Sequence, residues 1–132
     1  MSVILHKSET GTYLQTIRIH QHTLFADVAA SLGGEDNAPD PHDLYDSSLA
    51  ACKAITLLMY AKRKDISLTS VDIEITRDNS KEKSGIYRLN VNLQLNGELS
   101  VQQRHLLKDI AEKCPIHKLM ESVETEIHSS VQ

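Results

Sequence analysis

The residues best suited to chemistry in this sequence are its two cysteines, Cys52 and Cys114, 62 positions apart. Cys52 lies in the small, apolar run Leu49-Ala50-Ala51-Cys52-Lys53-Ala54-Ile55-Thr56. Cys114 lies in Lys113-Cys114-Pro115-Ile116-His117-Lys118, where one helix stops and another starts. Two such thiols are either small buried hydrophobes or a redox couple. Twelve residues into a helix, Cys52 is beyond reach of the helix dipole, so a thiolate there needs a cation from elsewhere. Cys114 has the better local chemistry, with a proline-initiated helix start and cationic neighbours. It is expected to be the more acidic thiol.

The seven histidines invite a metal reading. His20 and His22 would alternate onto one strand face, and His117 follows Cys114 by three positions. Neither spacing matches a known metal motif, so no metal and no cofactor is expected.

Composition narrows the classes. The chain has 132 residues and a formal net charge of −4, which suits one domain and leaves no basic footprint for nucleic acid. The longest uncharged apolar run, Ala54 to Ala61, is far short of the roughly 20 residues needed to cross a bilayer, so no membrane association is expected. The start, Met1-Ser2-Val3-Ile4-Leu5-His6-Lys7, has no secretory pattern, and the expected location is the cytoplasm. There, paired thiols are more often redox-active than structural.

The elements that must position the thiols follow from pattern. Ser2–Leu5, Tyr13–Ile19 and Thr23–Asp27 read as short strands, and the Gly33–Pro39 stretch as a loop. Asp40 is a good N-cap, Pro41 a good first helical residue, and Asp43 an acid suited to the first turn. Nothing breaks the helix until about Lys64, giving a length of about 36 Å. Pro41, Tyr45, Ser48, Cys52, Ile55, Thr56 and Met59 share one face. Asp43, Asp46, Lys53 and Lys64 form a polar stripe opposite, interrupted by Ala50, Leu57 and Ala61. So apolar a circumference predicts burial on several sides, by sheet or by a partner chain.

Val71–Thr76 and Tyr87–Leu95 alternate with period two and predict a hairpin across the charged Arg77–Gly85 loop. Ser100-Val101-Gln102-Gln103 is a capping box opening a helix through Leu106, Leu107, Ile110 and Ala111. Pro115 interrupts it, Ile116–Met120 continues it, and Val123–His128 alternates as a last strand. The order predicts an α+β domain spanning residues 1–132, with an antiparallel sheet around one long central helix.

This order, with a cysteine inside the long helix and a second in a Cys-Pro pair after the next helix, resembles the OsmC/Ohr family of osmotically inducible and organic hydroperoxide resistance proteins. The residues carrying the resemblance are Pro41-His42-Asp43-Leu44, Leu49-Ala50-Ala51-Cys52 and Lys113-Cys114-Pro115-Ile116-His117. His22–Asp27, Gly33-Gly34 and Leu58-Met59-Tyr60-Ala61 also look like one OsmC-like subgroup. The resemblance implies an intertwined homodimer and reduction of organic hydroperoxides. It implies Cys52 as the peroxidatic thiolate, Cys114 as the resolving thiol and an external dithiol as reductant.

The match departs from the family at its supporting charges. Family members carry a glutamate directly after the proline matched by Pro41, and this chain has His42 there. Asp43 points about 100° further round and is read as a helix-terminus acid. Ten helical steps, about 15 Å, separate His42 from Cys52, so His42 serves a thiol only across a dimer interface. Arg18 is the candidate for the family's thiolate-holding arginine. The alternative to peroxidase activity is an OsmC-like protein that binds an apolar small molecule beside Tyr45, Ile55 and Met59.

Overall fold

Strand alternation and helix caps predict the observed elements closely. The computed structural model describes all residues, Met1–Gln132. Three strands, β1 (Val3–Lys7), β2 (Gln15–Ile19) and β3 (His22–Ala26), precede a 23-residue helix α1 (Pro41–Arg63). Then follow β4 (Leu68–Asp78), β5 (Arg88–Gly97), α2 (Val101–Ala111) and α3 (Pro115–Ser122). The fold is α+β with antiparallel strand pairing throughout. The strands form two separate sheets rather than one, β1-β2-β3 and β4-β5. The chain divides into two compact units, Met1–Tyr45 and Asp46–Gln132.

In the first unit, β2 pairs with both neighbours, and a two-residue turn joins it to β3 with Ile19 opposite His22. His20 occupies that turn with φ 55°. It therefore stands outside the strand, and the expected shared face with His22 does not form. The left-handed conformation suits a tight hairpin and removes the residue from the period-two alternation. The start of α1 is capped reciprocally. Asp43 N–H donates to Asp40 Oδ1 at 2.8 Å, and Asp40 N–H donates to Asp43 Oδ2 at 3.1 Å. Asp43 is thus the helix-terminus acid that its position implied.

In the second unit, the β4–β5 register sets Val71 against Leu95, Ile73 against Leu93 and Ile75 against Val91. Each pair lies on the apolar side of the hairpin. That side joins Leu57 of α1 and Leu107 and Ala111 of α2, all three essentially inaccessible, with Tyr60, Ile66, Leu68, Leu99 and Ile110 around them. Helix α2 begins at the expected capping box, with both Ser100 and Gln103 engaged.

Two more expectations, a polar outer stripe on α1 and a last strand, also fail. The buried residues of α1 are Asp46, Leu49, Lys53, Leu57 and Ala61, a stripe with helical spacing of three and four. In the single chain, the face that carries Tyr45, Ile55 and Met59 is exposed, at 47%, 57% and 56%, which leaves it open to a partner chain. The presumed polar stripe therefore turns inward, because both of its central charges find partners on later elements. The expected last strand, Val123–His128, also does not form. Its alternation supplies a face, but a strand also needs a backbone partner, and residues 123–128 join neither sheet.

Candidate functional site

Cys114 is placed by the break between α2 and α3. The preceding residues end α2, and Pro115 takes the first position of α3, where a missing N–H costs nothing. Cys114 itself is the N-cap, extended at φ −65° and ψ 147°. Its Sγ accepts the N–H of His117 at 3.3 Å. The side chain is fully buried, at 0% exposure. Cys52 projects from the middle of α1 and is half-buried. The two cysteines approach to 3.8 Å, and both are free thiols. The pair lies wholly within the second unit.

The expected acidity of Cys114 is not observed. Burial pushes its thiol up from the ordinary value, since an apolar surround disfavours the thiolate. The contact with the Cys52 thiol acts in the same direction. The His117 N–H and the Lys53 charge pull the other way and only partly offset the burial. In its resting state Cys114 is therefore a protonated sulfur that accepts a backbone hydrogen bond.

Lys53 is the residue that the sequence reading misplaced. It is 2% exposed. Its Nζ donates to the Ala111 carbonyl at 2.7 Å and meets His117 Nδ1 at 2.8 Å. A lysine ammonium only donates, so Nδ1 is the acceptor and the imidazole proton sits on Nε2. That nitrogen faces Glu121 Oε2 at 3.3 Å, and Glu112 Oε2 lies 3.6 Å from Nδ1. His117 thus touches both parts of the site: its backbone N–H holds the Cys114 sulfur, and its ring holds the Lys53 ammonium. The signal in the sequence was the set of interruptions to the presumed polar stripe. Leu57 and Ala61 lie four and eight positions after Lys53, which puts all three on one helix face.

A second charged cluster uses the same face of α1. Asp46 Oδ2 accepts from Arg77 Nε at 2.6 Å, and Asp46 Oδ1 accepts from Tyr87 Oη at 2.6 Å. Arg77 continues the alternation of Val71, Ile73 and Ile75, so it points to the side that those residues bury.

The other two candidates belong to the first unit. Arg18 is exposed on β2, opposite Ile4 and Thr23, and borders a shallow hollow with His6 and His20. His42 is exposed as the second residue of α1. No group of three or more histidine, cysteine or acidic side chains is arranged to hold a metal ion. No helix is long and apolar enough to cross a membrane.

Comparison with known proteins places this geometry. A model of the OsmC-like protein family matches residues 34–128. No curated protein matches the sequence. Among solved structures, an OsmC-like protein from Mycoplasma pneumoniae superposes with a TM-score of 0.74 at 19% identity, covering 92% of this chain and 87% of the other. An organic hydroperoxide resistance protein OsmC from Legionella pneumophila gives 0.62 at 23% identity, with 92% and 90% covered. The organic hydroperoxide resistance protein OhrB of Bacillus subtilis gives 0.57 at 20% identity, with 92% of each chain covered.

Proposed function

The chain belongs to the OsmC-like family, and on that premise we propose that it reduces organic hydroperoxides through a Cys52/Cys114 redox pair. The observation that carries this reading is the approach of two free thiols to 3.8 Å across 62 residues of sequence. The resistance proteins of Legionella pneumophila and Bacillus subtilis, which share the fold, supply the substrate class.

In this reading the half-buried Cys52 meets the substrate, since Cys114 has no exposed surface. The Cys52 thiolate attacks one oxygen of the peroxide, the O–O bond breaks, and the alcohol leaves with a proton. Cys52 is left as a sulfenic acid. Cys114 displaces its hydroxyl as water, which forms a disulfide, and an external dithiol restores both thiols. The family implies a homodimer. His42 is assigned to support Cys52 from a second copy, and Arg18 is assigned as the cation that favours the thiolate. Metal and cofactor have no part in the cycle, and the cytoplasm supplies the reductant.

The decisive test is turnover of cumene or t-butyl hydroperoxide with a dithiol. Cys52→Ser is expected to abolish it. Stoichiometric hydroperoxide is expected to lower the mass by two hydrogens only when both cysteines are present. Unchanged turnover in Cys52→Ser would overturn the proposal.

A second reading, binding of an apolar small molecule without turnover, is favoured by the exposed Tyr45, Ile55 and Met59 on the helix that carries Cys52. A co-purifying acyl or aromatic ligand in a native mass spectrum, with no peroxide consumption, would select it.

A further inference from the structure

The Lys53–His117 pair is absorbed by neither role assigned to the cysteines, yet it is built around one of them. Lys53 Nζ is buried, and its two polar partners are a backbone carbonyl and an imidazole nitrogen. Those partners come from the last residue of α2 and the third of α3, on either side of Cys114. A buried ammonium between two neutral acceptors is costly, and any negative charge that forms beside it is strongly favoured. Between the same two helix ends Glu112 carries a standing charge, 3.6 Å from His117 Nδ1, and the Cys114 sulfur is the group there whose charge changes during thiol–disulfide exchange. The His117 N–H already points at it.

We propose that Lys53 is a positioning residue for the reductive half of the cycle. It would stabilise Cys114 as the leaving thiolate and so direct the incoming reductant to Cys52. This inference rests on the disulfide chemistry proposed above. A reductant thiolate attacks Cys52 Sγ, the more accessible of the two sulfurs. The Cys52–Cys114 bond breaks, a mixed disulfide forms at Cys52, and the electron pair goes to Cys114 Sγ. That sulfur then bears the negative charge beside the Lys53 ammonium and the His117 N–H. The second thiol of the dithiol attacks the mixed disulfide and releases Cys52, leaving the reductant oxidised by two electrons. Cys114 recovers its proton from solvent, and the His117 ring, with Nε2 turned toward Glu121, stands between Lys53 and that carboxylate. A leaving sulfur that carries charge more easily is expelled faster.

The test separates this claim from the peroxidase reading by making the disulfide with diamide, without any hydroperoxide. Oxidised wild-type protein is exposed briefly to glutathione, quenched in acid and mapped by mass spectrometry after alkylation of the freed thiol. Glutathione on Cys52 with alkylated Cys114 is expected. Glutathione on Cys114 would overturn the proposal, and so would failure of diamide to link the two cysteines. This arm needs no variant and holds even if substitutions misfold. In the second arm, a phosphine reduces the disulfide of wild type, Lys53→Met and Lys53→Arg across pH 6 to 9. The methionine variant, similar in volume but uncharged, is expected to react roughly tenfold more slowly, and the arginine variant to recover most of the rate. Equal rates for all three would overturn the proposal. If hydroperoxide fails to oxidise the protein while both arms succeed, the peroxidase reading alone falls.

Discussion

Arg77 Nε lies 2.6 Å from Asp46 Oδ2, joining the hairpin β4–β5 to the buried face of α1. Tyr87 closes the arrangement on the other carboxylate oxygen. Asp46→Ala removes the acceptor that both donors use, at a side chain only 11% exposed. A loss of about 2–3 kcal/mol is expected from chemical denaturation. Asp46→Asn, which keeps the shape and one acceptor, is expected to recover part of it.

The same cluster predicts a response to alkaline pH. Burial, then the bond to Asp46 and its charge, push the Tyr87 hydroxyl up to about 12 from 10.0. A group whose folded value is raised contributes stability that is complete below the unfolded value and is lost as pH rises through the folded one. The denaturation midpoint should therefore fall between about pH 10 and 12, and Tyr87→Phe should flatten that fall. The reduced protein should show an earlier decline, starting near pH 9.0, from the raised Cys114 thiol. Cys114→Ala should remove it.

Packing gives a third expectation. Leu57 and Leu107 are both 0% exposed and meet in one cluster. Replacing either with alanine is expected to cost about 2–5 kcal/mol, read as a shift in denaturant midpoint at constant slope.

Gly97 gives a fourth. Its φ is 136°, and an added Cβ would lie 2.0 Å from the Ser67 carbonyl oxygen. Gly97→Ala should lower stability by more than about 2 kcal/mol and disturb the end of the β4–β5 ladder, visible in amide shifts of Leu68 and Ser70. Gly85, where an added Cβ meets nothing within 4 Å, provides the contrast. Any loss from Gly85→Ala would come from its positive φ of 95° alone.

Local signals in the sequence were enough to outline most of the elements. Asp40 and Asp43 marked the start of α1, Ser100 and Gln103 that of α2, and Pro115 that of α3. These features depend on residues three or four apart, which the sequence displays directly. The burial of Asp46 and Lys53 was not legible in that way. Each is stabilised inside by partners far along the chain: Arg77 and Tyr87 for one, Ala111 and His117 for the other. A helical wheel shows charge but not the distant group that neutralises it. The nearness of Cys52 to Cys114 likewise came from family resemblance, because no local rule brings together residues 62 positions apart. The acidity expected of Cys114 failed because its neighbours in sequence suggested a surface helix start, whereas its sulfur is wholly enclosed.

One consequence follows from Cys114 serving as the N-cap of α3. That helix has only eight residues, and its first turn leans on the bond from the His117 amide to sulfur. For thiols 3.8 Å apart to become bonded, at least one sulfur must shift toward the other. Any movement of Cys114 loosens its grip on that amide. Oxidation would then be written into the backbone as fraying at one end of a short helix. Faster hydrogen exchange at His117 would make it legible from outside without any probe of sulfur itself.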